Sequence, residues 1–447
     1  MAGCVHLAQE APMADVRPFL AVRYALPAGA DASALFAPPY DVIDAAGRAA
    51  LAARDAHNVI HLDLPVADEP GGNDPYGDAG RRYRDWLASG VLVQDERPSV
   101  TVMHQSFVGP DGVRHVRRGL VAGVTLERAE AGVVLPHEHT LSGPKQDRLA
   151  LFTACGATAS QVFCVYDDPD GVIDALFAAT TAGPPLLEAD SDDGVHLQAW
   201  RVEDLETLAA MTAFFDGRSL LIADGHHRYE THLAYRDRQR EQLGRDDVPG
   251  CQVGIYLANL ADPGTAVYPI HRLVRDLVVF DRDRFAEALS PDFEVVTLTG
   301  RDLASLAAEL SALGTRTGSG AFGALYPDGT GIGFSLRPDS RERALARIPV
   351  REPLRSMDMT VLHTLVLDQL LGITKQRLAD ESHIDYAKAQ DRFLGQVRSG
   401  RWQLGLMVPA PDARAVSNCA AAGLRMPQKS TFFFPKIPSG LVFSPLE

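Results

Sequence analysis

The sequence predicts a mixed α/β protein, of the α+β kind, folded in several lobes. Apolar runs of strand length alternate with segments of helical spacing, as where residues 220–223 are followed by 227–236. Asp-Gly turn signals punctuate the alternation, and neither an internal repeat nor a low-complexity segment interrupts it. A chain of 447 residues can bury a large core, and its length suggests two or three domains.

The first predicted lobe is an N-terminal α/β region at residues 15–200, preceded by a disordered tail at 1–14. Its predicted elements in order are a strand at 19–24, a helix at 44–54, an apolar run at 59–64, a loop at 65–80, a helix at 81–89, a strand at 99–103, a hairpin about Asp111-Gly112 and a helix beginning near Lys145.

Two further regions complete the predicted organisation. The central region, 201–350, contains a helix at 202–215, the 220–223 strand, the helix that follows it and a hairpin turn at 328–331. The region 351–447 is predicted to be helical, with helices at 358–371 and 386–399, and to end in a patterned closing segment.

Composition restricts the class of protein. The chain is 46% hydrophobic and 23% charged, as in ordinary globular proteins. Its net charge of −15 argues against nucleic acid as a partner, because phosphate backbones require a basic face. The five cysteines form no Cys-x-x-Cys pair, no apolar run reaches the roughly 18 residues of a membrane span, and the N-terminus lacks signal-peptide features. These features predict a cytoplasmic protein without a membrane partner.

The strongest functional signal is the run Asp224-Gly-His-His-Arg228, placed between a predicted strand and a predicted helix. Such a junction offers unpaired backbone N–H groups and the positive end of the helix dipole, both of which favour an anion. Gly225 allows close approach of a ligand, and an arginine can grip a phosphate with two hydrogen bonds. Asp224 could hold a metal or accept a proton. The alternative is a polar turn whose histidines cap the helix.

A second polar cluster, His137-Glu138-His139, follows the apolar run 133–135. Glu138 is predicted to be the general base on an acceptor hydroxyl, and Lys145 and Arg148 continue the cluster as phosphate ligands. An exposed polar loop is the alternative. Because His-Glu-x-x-His and a cysteine partner are both missing, Mg²⁺ is favoured over zinc.

Other candidates are scattered along the chain. Tyr40-Asp41 follows a double proline, a stiff turn of the kind that lines pockets or is simply structural, and His271-Arg272 combines donors suited to carboxylate or phosphate. Lysine is scarce: Lys145, Lys375, Lys388, Lys429 and Lys436 are the five in the chain. Because phosphate contact is one use of a compact point charge, Lys429 is predicted to point toward the phosphate site.

The Asp-Gly-His-His-Arg turn resembles the signature of the ParB/sulfiredoxin-like superfamily, whose members bind nucleotide phosphates there and include CTP-binding proteins, sulfiredoxin and free serine kinases. The rest of the chain resembles the family called domain of unknown function 1015, in four segments that occur in the family's order: 37–43, 135–148, 268–274 and 426–442. The resemblance implies a ParB/sulfiredoxin-like nucleotide-binding core.

The function that this resemblance implies is a kinase that moves a phosphoryl group from ATP or ADP, with Mg²⁺, to a small hydroxylated metabolite, with free L-serine as the favoured acceptor. A non-catalytic nucleotide-binding switch and a nucleotide or phosphate hydrolase are the alternatives, and a homodimer is left open. The residues expected to serve are, for catalysis, Asp224 (also the metal ligand), Glu138 and His226; for nucleotide and phosphate, Gly225, His227, Arg228, Lys429, Arg148 and Lys145; and for substrate, Tyr40, Asp41, His137, His271 and Arg272.

Overall fold

The computed structural model describes residues 14–66, 74–109, 112–138, 143–387 and 390–447. The predicted tail at 1–14 therefore lies outside the described residues but for its last residue. Asp111 of the first predicted hairpin, His139 of the second polar cluster and Lys388 also fall outside them.

The described strands are, in chain order, β1 (Val16–Arg17), β2 (Val22–Tyr24), β3 (Ala30–Asp31), β4 (Leu92–Gln94), β5 (Val100–Val108), β6 (Arg114–Thr125), β7 (Val134–Leu135), β8 (Ala157–Thr158), β9 (Val162–Tyr166), β10 (Leu187–Asp190), β11 (His196–Val202), β12 (Leu220–Asp224), β13 (Gln252–Asn259), β14 (Ala266–Tyr268), β15 (His271–Val274), β16 (Phe293–Thr297), β17 (Ala321–Leu325), β18 (Gly331–Leu336), β19 (Ile384–Ala387), β20 (Leu404–Met407), β21 (Phe432–Phe434) and β22 (Ser444–Pro445).

The described α-helices are α1 (Ala45–Arg54), α2 (Ile60–Asp63), α3 (Pro75–Ala88), α4 (Gly143–Cys155), α5 (Val172–Thr181), α6 (Leu205–Phe215), α7 (His226–Leu243), α8 (Arg282–Leu289), α9 (Leu303–Thr317), α10 (Arg341–Leu345), α11 (Asp358–Val361), α12 (Lys375–Ala379), α13 (Gln390–Arg398) and α14 (Ala413–Ala421). Short 3-10 helices occur at Tyr40–Val42, Ala129–Ala131, Pro249–Cys251 and Leu354–Ser356, and a π-helix at Leu362–Asp368 continues α11. The mixed α/β class is confirmed.

The larger sheet carries the central motif. Its strand order is β3-β10-β11-β5-β6-β13-β9-β12-β7, with β1 added beside β6. Strands β9, β12 and β13 are buried almost throughout. This burial explains why their sequences are nearly continuous apolar runs rather than alternating patterns of apolar and polar residues. Two apolar clusters line the faces of this sheet.

The pairing of β12 with β7 positions the two predicted polar clusters. The strands run parallel, with Leu220 opposite Val134 and Leu221 opposite Leu135. Parallel neighbours end at the same edge of a sheet, so the polar residues that follow each strand emerge side by side. This pairing brings His137 and Glu138 to the turn that follows β12.

A smaller sheet forms the second lobe, with strand order β16-β18-β17-β20-β15-β19. The predicted hairpin at 328–331 connects β17 and β18, and the Asp-Gly hairpin of the first lobe connects β5 and β6. The sheets are not partitioned at residues 200 and 350. The larger sheet runs on through β13, and the smaller one draws β19 and β20 from the C-terminal region.

Two element predictions require correction. The segment predicted as a helix at 386–399 begins as strand β19, because residues 384–387 pair with β15 before α13 starts. The predicted loop at 65–80 ends early, since Asp74 caps α3 by accepting a hydrogen bond from the Gly77 N–H and Pro75 occupies the first helical position.

The closing segment returns to the larger sheet. Its strand β21 pairs with β14, β22 pairs with β8, and Ser439 and Phe443 form bridges with Ala37 and Val22 of the N-terminal region. Phe433 is buried, with its ring packed against Phe163. Of the helices in the described ranges, none is both long and apolar enough to cross a bilayer.

Candidate functional site at the turn between β12 and α7

The turn after β12 has the backbone expected of an anion-binding junction. Gly225 has φ +87°, and a Cβ there would lie 2.9 Å from Nε of Arg228, so both the dihedral angle and the space require glycine. Helix α7 starts at His226, as predicted to within one residue, and within the described residues no side chain caps its start. The N–H groups of a first helical turn point out of the helix end, toward any bound ligand.

Asp224 is held between two cations. Its Oδ1 pairs with Nζ of Lys436, and its Oδ2 accepts a hydrogen bond from Nη2 of Arg228 at 2.7 Å. Burial opposes ionisation of this carboxyl. The two cations outweigh that effect and hold the pKa of Asp224 well below its usual range. The residue is therefore a carboxylate at neutral pH.

Arg228 lies beneath the turn rather than projecting from it. Its Nη1 donates to Oγ of Ser160 at 2.9 Å and to the carbonyl of Gln161 at 2.5 Å, and the residue is 4% exposed. The guanidinium is thus held by Asp224 and by the two residues that directly precede β9. It contributes positive charge to the turn from below.

A third cation lies nearby and is deeply buried. Arg117 on β6 is 0% exposed, its guanidinium sits 4.7 Å from the ring centre of Phe163 and 5.3 Å from that of Tyr256, and its Nη2 donates to Oε1 of Gln105. Asp224 is close enough to interact with it electrostatically. None of its described hydrogen bonds or ion pairs is to a carboxylate.

The turn therefore carries a surplus of positive charge. Arg117, Arg228 and Lys436 lie around the carboxylate of Asp224. Asp262 also influences Arg117, although Nη1 of Arg118 lies 3.7 Å from its carboxylate. Because uncompensated buried charge is costly, this arrangement favours an anion at the helix end.

Two neutral histidines connect the turn to the second polar cluster. Nδ1 of His137 donates to the carbonyl of Ile222 at 2.7 Å, which leaves its Nε2 to accept from the hydroxyl of Thr431 at 2.8 Å. Nε2 of His226 accepts from the backbone N–H of His137 at 3.2 Å, and the rings meet edge to face. Burial lowers the pKa of both rings, as these acceptor roles require.

Glu138 is the second carboxylate of the site. Its Oε1 accepts a hydrogen bond from the backbone N–H of Ser430 at 3.1 Å and lies 3.7 Å from Nε2 of His137. Its side chain is 18% exposed, so it is partly accessible. Its predicted role as the general base stays a prediction, and the contacts through His137 and His226 join it to the turn that carries Asp224.

The closing segment crosses this cluster. Met426 pairs with Glu138 through a backbone bridge, and the carbonyl of Lys429 accepts from Nη2 of Arg272 at 3.0 Å. Lys429 itself has φ +57° and is close enough to His227 to lower the pKa of that ring, although burial contributes more. The predicted phosphate role of Lys429 stays a prediction.

Tyr40 and Asp41 also reach the vicinity. The guanidinium of Arg148 lies 4.2 Å from the ring centre of Tyr40, and Tyr40 interacts electrostatically with Arg228. Asp41 interacts with His227 in the same way. Arg148 is buried, and its Nη1 donates to the carbonyl of Asp63 at 2.5 Å, so its contact with the site runs through Tyr40.

Lys145 and His271 have different surroundings. Lys145 forms an ion pair with Glu230 on α7 and, like Lys429, interacts electrostatically with His227. His271 lies in the core of the second lobe, where its ring packs 4.5 Å from that of Phe393 and its Nδ1 accepts from the N–H of Val408 at 3.3 Å. The structure therefore does not bring His271 to the cluster, whereas its neighbour Arg272 reaches it.

Sequence reasoning did not select several residues of the cluster. Lys436 stood out only through the scarcity of lysine, and nothing in the pattern preferred it to Lys429 for the contact with Asp224. Arg117 lies in an ordinary strand and Gln105 in the strand paired with it, where neither residue type signals a site. Only the three-dimensional arrangement identifies them.

Two cavities flank the turn. One, of about 230 Å³, is lined by residues of the Ser33–Val42 and Ala189–Leu197 segments together with Gln105 and Lys436. The other, of about 280 Å³, lies along α7 and is lined by His226 and by charged residues that include Glu230 and Arg425. Within the part of the chain that the structure describes, no group of three or more His, Cys, Asp or Glu side chains could hold a metal.

The fold and this cluster define a mixed α/β protein with a polar, cation-rich site at a strand-to-helix turn. A family model described as "Protein of unknown function (DUF1015)" matches residues 16–360, most of the chain, and the protein belongs to that family. The predicted family membership is thereby confirmed.

Comparison with known proteins adds three similar solved structures. A conserved hypothetical protein from Pyrococcus furiosus is 14% identical, with 72% of this chain and 95% of that chain covered and a TM-score of 0.32. A free serine kinase in complex with AMP is 13% identical, with 72% and 92% covered and a TM-score of 0.35. SbnI from Staphylococcus aureus, truncated at its C-terminus, is 8% identical, with 72% and 87% covered and a TM-score of 0.33. No curated protein matches the chain. Similarity at this level transfers no activity.

Proposed function

We propose that this protein is a kinase that transfers a phosphoryl group from ATP or ADP to the hydroxyl of a small metabolite, with free L-serine as the favoured acceptor and O-phosphoserine as the product. The proposal combines the resemblance of the Asp224–Arg228 turn to nucleotide-binding turns with the charge and geometry of the cluster. Phosphoryl transfer requires cations around the phosphate and a base on the acceptor hydroxyl rather than elaborate covalent chemistry.

The observation that carries the proposal is the surplus of cations at an uncapped helix start. Arg117, Arg228 and Lys436 surround Asp224, and the first-turn N–H groups of α7 lie directly beyond Gly225. A phosphate seated there would neutralise the surplus of positive charge and accept hydrogen bonds from first-turn N–H groups. An exposed turn with capping histidines would require neither the buried Arg117 nor the approach of Lys436.

Glu138 is proposed as the general base. It is partly accessible, whereas both oxygens of Asp224 are engaged by Lys436 and Arg228. The acceptor hydroxyl would lose its proton to Glu138 while its oxygen forms a bond to the terminal phosphorus. The bond from that phosphorus to the bridging oxygen breaks, and the nucleotide leaves with the electron pair. His226 is proposed to hold this arrangement in place through its contact with His137.

Mg²⁺ is proposed as the companion of the nucleotide. Such ions commonly use one or two carboxylates and complete their shell with phosphate oxygens and water. A site whose described residues include no cluster of three candidate ligands fits that mode. Asp224 is the proposed protein ligand, since its carboxylate is ionised and could exchange its contact with Lys436 for the metal. Bound there, the ion would neutralise charge on the phosphates.

Phosphorus NMR of the full chain with Mg²⁺, ATP or ADP, and a panel of amino acids and sugars tests the proposal. Acceptor-dependent loss of nucleotide with a new phosphomonoester signal is expected. Release of inorganic phosphate without an acceptor would instead identify a hydrolase, and nucleotide binding without turnover would identify a switch.

A variant pair tests the assignment of the base. Glu138→Gln removes the proton acceptor and should lower turnover by about a hundredfold or more, the usual scale of general-base catalysis. Glu241→Gln, at an exposed position late in α7, is the matched control and should retain normal turnover. Equal turnover in the two variants would show that Glu138 is not the base.

A further inference from the structure

The cavity on the Lys436 side of the turn has no role in the proposed chemistry, and its position is informative. Lys436 lines this cavity and pairs with Asp224, so the cavity and the cation-rich turn share one residue. The 3-10 helix Tyr40–Val42 provides a second connection. Val42 lines the cavity, whereas Tyr40 interacts with Arg228 beneath the turn.

A third connection runs through the floor of the cavity. Gln105 lines it, donates from Nε2 to the carbonyl of Lys436 at 3.1 Å and accepts a hydrogen bond from the buried Arg117. One end of a molecule bound in the cavity would therefore lie next to the cation-rich turn, near Lys436 and Arg117.

The lining selects an uncharged, flat and largely apolar group. Apolar side chains dominate the walls, from the N-terminal region, the strand β10 to β11 connection and the closing segment: Phe36, Ala37, Pro38, Pro39, Val42, Ala189, Val195, Leu197 and Pro438. The rim carries exposed carboxylates, namely Asp190, Asp192 and Asp193, together with Arg54, which pairs with Asp192. Carboxylates repel phosphate, but they accept hydrogen bonds from hydroxyl and amino groups.

The size of the cavity narrows the ligand further. Its volume of about 230 Å³ falls below the roughly 300–1,000 Å³ of pockets that enclose a whole drug-sized ligand. It suits part of a nucleotide, with the remainder outside it. The charge distribution indicates which part: a base and sugar within, and phosphates at the turn.

We infer that this cavity binds the nucleoside portion of the nucleotide, with the base against the apolar walls, the sugar hydroxyls toward the rim carboxylates and the phosphates directed past Lys436 to the start of α7. The inference rests on the proposed function for the presence of a nucleotide, and it adds where the nucleotide lies and which way it points.

Binding measurements without an acceptor test this inference. Isothermal titration calorimetry of the full chain with adenosine, guanosine, cytidine and uridine identifies the preferred base. The matching nucleoside diphosphate and tripolyphosphate are then titrated in the same way. Val42 is 43% exposed, so Val42→Trp can fill the cavity from its rim. We expect weaker binding of the nucleoside and its diphosphate by about tenfold or more, equivalent to about 1.4 kcal/mol, with tripolyphosphate binding unchanged.

The matched control fills the other cavity. Ala234 is an exposed residue of α7 that lines it, and Ala234→Trp should leave nucleoside binding as in the natural chain. The inference would be overturned if Ala234→Trp weakened nucleoside binding and Val42→Trp did not. It would also be overturned if neither variant weakened nucleoside binding. Melting temperatures verify that each variant folds. If the Trp side chain prevents folding, Val42→Phe takes the place of Val42→Trp.

Failure of this inference is distinguishable from failure of the proposed kinase activity. If nucleoside binding responds to Val42→Trp but phosphorus NMR detects no acceptor-dependent transfer, the cavity assignment stands and the kinase proposal falls. If transfer occurs while Val42→Trp leaves nucleoside binding unchanged, the kinase proposal stands and the cavity assignment falls. If no nucleoside or diphosphate binds, both are wrong.

Discussion

Two His-Arg pairs, one at the start of α7 and one on β15, illustrate how the same residue types acquire different surroundings. His227-Arg228 lies in the first turn of a helix, where backbone N–H groups point toward the helix end instead of into a sheet. His271-Arg272 lies on a strand that is paired on both sides, by β19 and β20, so its backbone donors are already used. Strand alternation sends His271 into the core and Arg272 toward the closing segment.

A basic pair therefore predicts an anion site only where the backbone also supplies hydrogen-bond donors. Both arginines are deeply buried, and both donate to backbone carbonyls. Only Arg228 lies beside a carboxylate and a lysine at a glycine turn. The central turn is therefore expected to be sensitive to charge removal in turnover, and the β15 pair in stability.

The largest expected effect is that of Asp224→Asn. The amide keeps an oxygen for Arg228 but loses the negative charge that pairs with Lys436 and could hold a metal, so turnover should fall by about a hundredfold or more. Phosphorus NMR measures the rate, and circular dichroism verifies folding. Asp358→Asn is the control, because that carboxylate is also largely buried but accepts from the N–H of Gly320 in the second lobe. Comparable losses in both variants would erase the distinction between the two regions.

The two lysines of the closing segment should differ. Lys436 forms an ion pair with Asp224, whereas Lys429 influences the turn through His227. A preorganised cation at a transferring phosphate is commonly worth about 3 kcal/mol of barrier, so Lys436→Met should lower turnover by about a hundredfold. Lys429→Met should cost about tenfold. Steady-state rates compare them, and a larger loss for Lys429 would show that it is the principal phosphate contact.

Buried histidines of both lobes should make stability depend on pH. Burial lowers the pKa of His232 to about 3 and that of His271 to about 3, against about 6.5 for an exposed ring. Between those values the unfolded chain binds protons that the folded chain does not. The contribution of these two neutral rings to the free energy of unfolding is complete above pH 6.5. It is lost as the pH falls toward 3, by up to about 1.4 kcal/mol per pH unit for each ring.

His232→Phe isolates one of these rings. His232 stacks on Phe152, and among the described residues neither of its nitrogens has a hydrogen-bond partner, so a phenyl ring replaces it without loss of a described hydrogen bond. The slope of unfolding free energy against pH from urea titrations at pH 4.5 and 5.5 should decrease by about 1.4 kcal/mol per pH unit. His196→Gln is the control, because the side chain of His196 is 40% exposed. An unchanged slope in His232→Phe would mean that this ring is protonated in the folded state.

The smallest expected effect concerns Lys145 and Glu230. Their ion pair is partly exposed, with side-chain exposures of 33% and 28%, and such pairs contribute at most about 1 kcal/mol. A double-mutant cycle with Lys145→Met and Glu230→Gln should yield a coupling energy below that value. Turnover within about threefold of normal, or roughly 0.7 kcal/mol of barrier, is also expected. A loss above tenfold would support the predicted phosphate role of Lys145 instead.

Much of the central turn could be predicted from sequence because its determinants are local. An apolar run, a glycine with positive φ and a helical pattern specify strand, turn and helix within about twenty residues. Glu138 could also be identified, since it follows a strand of the same kind. The strand at 384–387 was missed because its partner, β15, lies more than a hundred residues earlier in the chain.

The mixed α/β class, the family and the strand-turn-helix at Gly225 follow from the amino-acid sequence, since each depends on residues close together or on motifs in order. Three features emerge only in the folded chain: β7 runs parallel to β12, Lys436 rather than Lys429 pairs with Asp224, and Arg117 lies beneath the site. These two groups of features differ in the distance along the chain over which the interactions act. Backbone conformation responds to neighbours along the chain, whereas charge pairing and burial depend on contacts made only when the closing segment packs across the larger sheet.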